Sequence, residues 1–150
     1  MAGIELSSSA FSDHTMIPRH YAKDGDNVSP PLTWSGVPDE AVELALLCED
    51  PDAPSGTFVH WLVTGIDPHR GGLDTDETHP DSHPHRNGYG EQGWGGPQPP
   101  VGDEAHRYFF RLYALPASVS VPDDATADDV HGVLDKQQIA SGTLVGLYRR

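Results

Sequence analysis

The sequence predicts a mainly β, single domain spanning residues 1–150. Three observations lead there. The 36% of residues that are apolar gather in a few short runs, at 44–48, 58–63 and 108–115. The ground between them is rich in turn formers, with 16 Gly and 14 Pro. Only one stretch carries an apolar stripe at helical spacing. Short apolar runs separated by turns favour strands over a helix bundle. A chain of 150 residues is long enough to bury one substantial core.

Taken in order, residues 25–38 form a turn-rich segment whose Pro30-Pro31 pair forbids regular helix. Residues 42–48 read as a buried strand. The segment 50–56 is a loop stiffened by Pro51 and Pro54. Residues 58–66 are apolar on both faces, which predicts a central strand. From 67 to 104 the chain has almost no aliphatic residues after Leu73 but many Gly, Pro, His and Asp. A loop of that length inside a domain is functional or mobile. Strand character resumes at 107–115 with Tyr108, Phe109, Phe110 and Tyr113. Thr126 followed by Asp129 resembles a capping box, and Val130, Val133 and Leu134 make the helical stripe. That predicts a helix over 127–140, and residues 143–148 close the chain as a last strand.

The charge balance narrows the partners. There are 23 acidic and 9 basic side chains, a formal net charge of −14. Such a surface has no Lys/Arg cluster to neutralise phosphates, so nucleic acid and anionic membranes are poor partners. It suits high salt, where self-repulsion is screened. The single cysteine, Cys48, lies in an apolar run and reads as a buried, inert thiol. No basic N-terminal region precedes an apolar stretch, and no run approaches 18 apolar residues, so the expectation is a cytoplasmic protein without membrane insertion. No cofactor motif stands out.

Three groups of residues could carry chemistry. Asp50 and Asp52 sit in the stiff 50–56 loop, although taken alone they read as turn formers. His60 lies within the 58–66 run, by alternation on the face of Phe58 and Leu62, and needs a partner if buried. His106 opens the 106–115 strand on the face of Tyr108 and Phe110. Gly95 and Gly96, followed by Pro97, could present backbone N–H groups as an anion nest. A metal site from His79, His83 and His85 has loose spacing, and solvent-exposed histidines are the preferred reading.

Together these stretches resemble a known family. Residues 29–38 (Ser-Pro-Pro-Leu-Thr-Trp-Ser-Gly-Val-Pro), Asp50-Pro51-Asp52-Ala53-Pro54, His60-Trp61, Gly96-Pro97 with Pro99-Pro100, His106-Arg107-Tyr108 and Leu112-Tyr113-Ala114-Leu115 stand in the order and spacing of phosphatidylethanolamine-binding proteins, in their bacterial and archaeal branch. The resemblance runs from about residue 27 to the end. Gln98 stands where the family often has Cys, and 79–87 matches no family feature. The resemblance implies two antiparallel sheets, a large central one and a smaller one, with one or two peripheral helices. It implies a pocket for phosphate-like anions lined or supported by Asp50, Asp52, His60, Gly96, His106 and Tyr108. To these the glycine loop adds Gly95 and Pro97. In this reading each Asp orients an imidazole. The function expected is small-anion binding, with modulation of a kinase or protease through the pocket and a homodimer left open. The alternative is an Asp/His-dependent hydrolase.

Overall fold

The computed structural model describes residues 3–78 and 81–150. Its elements are β1 (Glu5–Ser7), β2 (Thr15–Met16), β3 (Leu32–Ser35), β4 (Glu43–Asp50), β5 (Phe58–Ile66), β6 (Gly72–Leu73), β7 (His83–Pro84), β8 (His106–Leu115), α1 (Ala127–Gln137) and β9 (Ala140–Tyr148), with a 3₁₀ turn at Arg19–Tyr21. The mainly β class is confirmed.

Two sheets are present. The small one has the order β1-β3-β6 and is antiparallel, and the large one has the order β2-β9-β8-β4-β5-β7. The expectation of two antiparallel sheets fails for the large sheet, which is mixed. Its edge strand β2 runs parallel to β9, with Thr15 opposite Gly146 and Met16 opposite Leu147. Backbone bonds from His14 N to Val145 O (2.6 Å) and Ile17 N to Leu147 O (2.7 Å) extend that pairing. Gly146 makes it fit, because a Cβ there would lie 2.5 Å from Ile17 Cγ1. The N-terminal segment thereby covers an otherwise open edge.

β4 lies between β5 and β8 and is buried at every position, as a doubly covered strand should be. β5, expected to be central, is one place from the edge. Its outer side meets only the two-residue β7 and then loop backbone: His85 N donates to Leu62 O (2.8 Å), Gly88 N to Val59 O (2.7 Å) and Gly95 N to His60 O (3.0 Å). The long 67–104 segment therefore acts as the cover of this edge. Asn87, buried, organises it by accepting from Tyr89 N (2.9 Å) and Glu91 N (3.2 Å) and donating to Gly93 O (2.9 Å).

The core has two parts. Leu6, Leu32, Trp34 and Leu73 of the small sheet pack with Leu44, Leu46, Cys48, Phe110 and Leu112 of one face of the large sheet. On the opposite face, Ala45, Leu47, Leu62, Tyr113 and Leu115 pack with Val130 and Leu134 of α1. The Cys48 thiol is fully buried, and burial followed by the charge of Glu49 pushes its pKa up. The expected capping box forms: Asp129 N donates to Thr126 Oγ1 and Thr126 N to Asp129 Oδ2, both at 3.1 Å. The helix stops three residues before the predicted end. Gln138 is extended (φ −61°, ψ 141°), and Ile139 N donates to Ala114 O at 2.9 Å, which starts β9.

Candidate functional site

The site grows from a misalignment between two strands. In the β4–β5 ladder Cys48 faces Trp61 while Glu49 faces Val59, so His60 has no counterpart. An extra residue on one strand is a β-bulge, and it re-aims the side chain it carries. Simple alternation puts His60 on the face of Leu62, but Leu62 packs under α1. The bulge instead brings the His60 ring against Phe58 (centroids 4.7 Å apart) and Tyr108 (5.1 Å). β8 keeps its alternation, so His106, Tyr108 and Phe110 share a face as expected.

These residues line a cleft of about 200 Å³, with Asp50, Ala53, Pro54 and Ser55 from the stiff loop, Tyr89, and Gln98-Pro99-Pro100. A larger cleft of about 260 Å³ is lined by residues including Asn27, Trp61, Asp76, Thr78 and Trp94, but no histidine. The smaller one concentrates the titratable chemistry.

Asp50, 3% exposed, works in two directions. Its Oδ1 accepts from Asp52 N at 2.7 Å, the turn its residue type suggests. Its Oδ2 accepts from His106 Nδ1 at 2.7 Å, and Asp103 Oδ2 accepts from His106 Nε2 at 3.1 Å. Burial alone would depress the His106 pKa, but the hydrogen bonds and charges of the two carboxylates outweigh it and raise it. The ring is thus held toward the cation, which offsets the charge of Asp50.

His60 has the opposite setting. Its Nδ1 donates to Gly95 O at 2.6 Å. Burial lowers its pKa, only partly opposed by that carbonyl and by Asp50. Tyr89 donates through its hydroxyl to Gly96 O (2.8 Å), and burial pushes its pKa up to about 12. Tyr108 is fully buried, and its hydroxyl has no hydrogen-bond partner among the described residues. Burial, then the charge of Asp50, holds it firmly as the neutral phenol.

Several expected residues stand elsewhere. Asp52 orients no imidazole; it grips Arg107 through N–H (2.9 Å), Nε (3.0 Å) and Nη2 (2.8 Å). That guanidinium, chiefly by hydrogen bonding, lowers the Asp52 pKa and ties the 50–56 loop to β8. Gly95, Gly96 and Pro97 lie behind the cleft rather than on its wall. Gly95 N donates to His60 O, Gly96 N donates to Asn27 Oδ1 (2.7 Å), and Pro97 O accepts from Lys23 N (2.9 Å). The glycine N–H groups are therefore committed to the protein. Their glycine identity serves packing: a Cβ at Gly96 would run into Tyr21 O, and one at Gly95 would lie 2.5 Å from the Tyr89 ring. Sequence reasoning passed over Phe58, Tyr89 and Asp103. Asp103, three residues before His106, was findable as a second carboxylate for that ring. Tyr89 lies in the stretch without periodic signal.

Of the three histidines considered as metal ligands, His79 lies outside the described residues. His83 is exposed, but His85 is 3% exposed, against the expectation of solvent-facing rings.

Comparison with known proteins follows the same lines. From residue 7 to 149 the chain matches the family model for phosphatidylethanolamine-binding protein. A UPF0098 protein of Methanothermobacter thermautotrophicus is 44% identical, covering 98% of this chain and 99% of that one. A Mycobacterium tuberculosis relative with a lipoprotein name, LppC, is 40% identical over 97% of this chain and 72% of its own. The crystal structure of a phosphatidylethanolamine-binding-protein homologue, CT736 of Chlamydia trachomatis, superposes with a TM-score of 0.88 at 35% identity, covering 100% of this chain and 99% of that one. Escherichia coli YbcL, a member of the same family, superposes with a TM-score of 0.92 at 28% identity, covering 99% of each chain. No helix among the described residues is long and apolar enough to cross a membrane. With the family model spanning nearly the whole chain and both solved folds agreeing with it, this chain belongs to the phosphatidylethanolamine-binding protein family.

Proposed function

We propose that the chain binds a small anion, a phosphate or phosphoryl headgroup, in the cleft between the 50–55 loop, β5 and β8. The observation that carries this reading is the Tyr108 hydroxyl, a neutral donor beneath the cleft without a partner among the described residues. An unpaired buried polar group costs free energy, which a ligand acceptor would recover. Ser55 and Gln98, both exposed at the mouth, add donors, and Pro54, Pro99 and Pro100 form apolar walls. The name of the family points to the same chemistry, since phosphatidylethanolamine presents a phosphoryl group.

His60 sets the conditions. Its Nδ1 proton is committed to Gly95, so a second proton on Nε2 makes it a cation among Phe58, Tyr89 and Tyr108. Burial opposes that proton in the free protein, and a bound anion favours it. Anion uptake is therefore coupled to protonation of His60. Asp50 does not repel the ligand as a bare carboxylate, because His106 is bonded to it.

Regulation of a kinase or protease would use the same mouth, seating a phosphorylated or carboxylate side chain of the partner. Cytoplasmic action belongs to the same proposal, and so does any homodimer. The hydrolase alternative needs an imidazole nitrogen free to deprotonate water. Both nitrogens of His106 face carboxylates, which leaves only His60 Nε2 for that role, the nitrogen that the anion reading uses instead.

The test is calorimetry with inorganic phosphate at pH 6 and pH 8, on the wild type, Tyr108→Phe and His60→Asn. Affinity should be higher at pH 6 and several-fold weaker in Tyr108→Phe, and the pH dependence that exceeds phosphate's own titration over this range should be lost in His60→Asn. Absence of binding at millimolar phosphate, or a Tyr108→Phe variant that binds normally, would overturn the assignment.

A further inference from the structure

On the opposite side of β5 from the cleft, three ligand-bearing side chains converge. His83, in β7, and His85, just past its end, stand two residues apart, and their rings lie side by side with centroids 4.4 Å apart. Asp123, in the segment that leads into α1, faces them. Its Oδ1 is 3.5 Å from His85 Nδ1 and 3.8 Å from His83 Nε2, and all three ligand atoms lie within 4.8 Å of one another.

The geometry points to a divalent cation site of the zinc type, with His83 Nε2, His85 Nδ1 and Asp123 Oδ1 as ligands and a fourth position open to solvent. Tetrahedral zinc with ligands at about 2.0–2.1 Å sets neighbouring donor atoms about 3.3 Å apart. The two Asp123 separations, 3.5 and 3.8 Å, need only a small contraction, and the two histidine nitrogens lie within 4.8 Å of each other. Two imidazoles and one carboxylate with a fourth position for solvent form a donor set that suits zinc over magnesium or calcium, which take oxygen ligands.

His85 is the decisive residue. It is buried, yet its Nδ1 makes no hydrogen bond of normal geometry among the described residues; the Asp123 carboxylate 3.5 Å away faces it, an arrangement that costs free energy unless something binds between them. Its other nitrogen, Nε2, is 2.7 Å from Thr64 Oγ1. When Nε2 donates to that hydroxyl, Nδ1 presents its lone pair toward Asp123. A ligating histidine held through its second nitrogen in this way is oriented before the metal arrives. Thr64 is itself fixed by the ladder, opposite His83.

The surroundings favour a cation. Glu43 lines the same cavity of about 270 Å³, and its buried Oε2 also lacks a partner among the described residues. Among those residues no Lys or Arg side chain lines that cavity. A bound ion would link β7, which covers the β5 edge, to the segment before α1. Those two regions are otherwise distant in sequence.

The experiment uses the full chain, stripped with a chelator and free of any histidine tag. Co²⁺ is added while the visible spectrum is recorded, and Zn²⁺ then competes. One Co²⁺ per chain should give intense tetrahedral bands that one equivalent of Zn²⁺ removes, and Zn²⁺ should raise the melting temperature. His83→Gln and Asp123→Asn alter exposed residues and leave the fold intact. Each should weaken Co²⁺ binding at least tenfold and reduce the Zn²⁺-dependent rise. Thr64→Val should weaken binding by about tenfold through the loss of orientation. Weak, octahedral Co²⁺ spectra, or unchanged affinity in His83→Gln and Asp123→Asn, would overturn the site.

Discussion

His60 and Gly95 bond to each other twice: His60 Nδ1 donates to Gly95 O at 2.6 Å, and Gly95 N donates to His60 O at 3.0 Å. A glycine loop that looks built to receive a ligand is thus built to hold an imidazole. With its Nδ1 side fixed in this way, the ring can gain a proton only at Nε2.

Stability should respond to pH through two histidines with opposite signs. The folded pKa of His106 is raised, so its contribution is fully present below about 6.5, its unfolded value, and is lost as pH rises through the folded pKa. The folded pKa of His60 is lowered, so its contribution is present above about 6.5 and is lost as pH falls through the folded pKa. Denaturant melts from pH 5 to 8 check this. His60→Asn should flatten the acid side, and Asp50→Asn should flatten the alkaline side.

Asp50→Asn should also lower stability at pH 6 by about 3 kcal/mol, because it removes one partner of a buried ion pair. Urea midpoints of the two proteins at pH 6 measure the difference. A loss below about 1 kcal/mol would mean that the Asp50–His106 pair is not the anchor of the loop.

Two glycine replacements should move stability in opposite directions. Gly132 lies on α1, and a Cβ added to it would meet nothing within 4 Å, so Gly132→Ala should stabilise by about 0.5–1 kcal/mol. Gly96→Ala should destabilise by about 1–3 kcal/mol, because its Cβ would meet the Tyr21 carbonyl. Thermal melts of both variants provide the check.

The net charge of −14 should make folding sensitive to salt. Between low and molar KCl the Debye length shrinks to about 3 Å, screening like-charge repulsion in the folded state. The melting temperature should rise over that range. A flat or falling trend would remove the reading of a surface adapted to high salt.

Much of this was legible in the sequence, and the failures have physical causes. The four long strands were readable because apolar and β-favouring residues cluster there, and the helix because its apolar residues recur at helical spacing after the Thr126–Asp129 cap. β1, β2, β6 and β7 have two or three residues each and are too short to show a period. Of the cleft's lining, Asp50, His60, His106 and Tyr108 were legible as residues, but not what each one touches. Alternation could not reveal that the bulge turns His60 away from Leu62. Residue type alone could not reveal that Asp52 serves Arg107, or that Gly96 yields to the 21–23 backbone. The burial of His85 depends on the long 67–104 segment docking as the cover of β5, a tertiary event with no local signal.

The placement of β9 has a bearing on how the chain comes to be folded. β9 is the last element in the sequence, yet it sits between β8 and the N-terminal strand β2. During synthesis the ten residues of β8 can pair with β4 on one side, but their other side has no partner until residues 140–148 emerge. β2, made long before β9, waits longest for its neighbour. Non-local pairing of this kind slows folding, and an unpaired strand edge invites contact with other chains. A chain stalled before residue 140 would expose that edge to its neighbours on the same polysome.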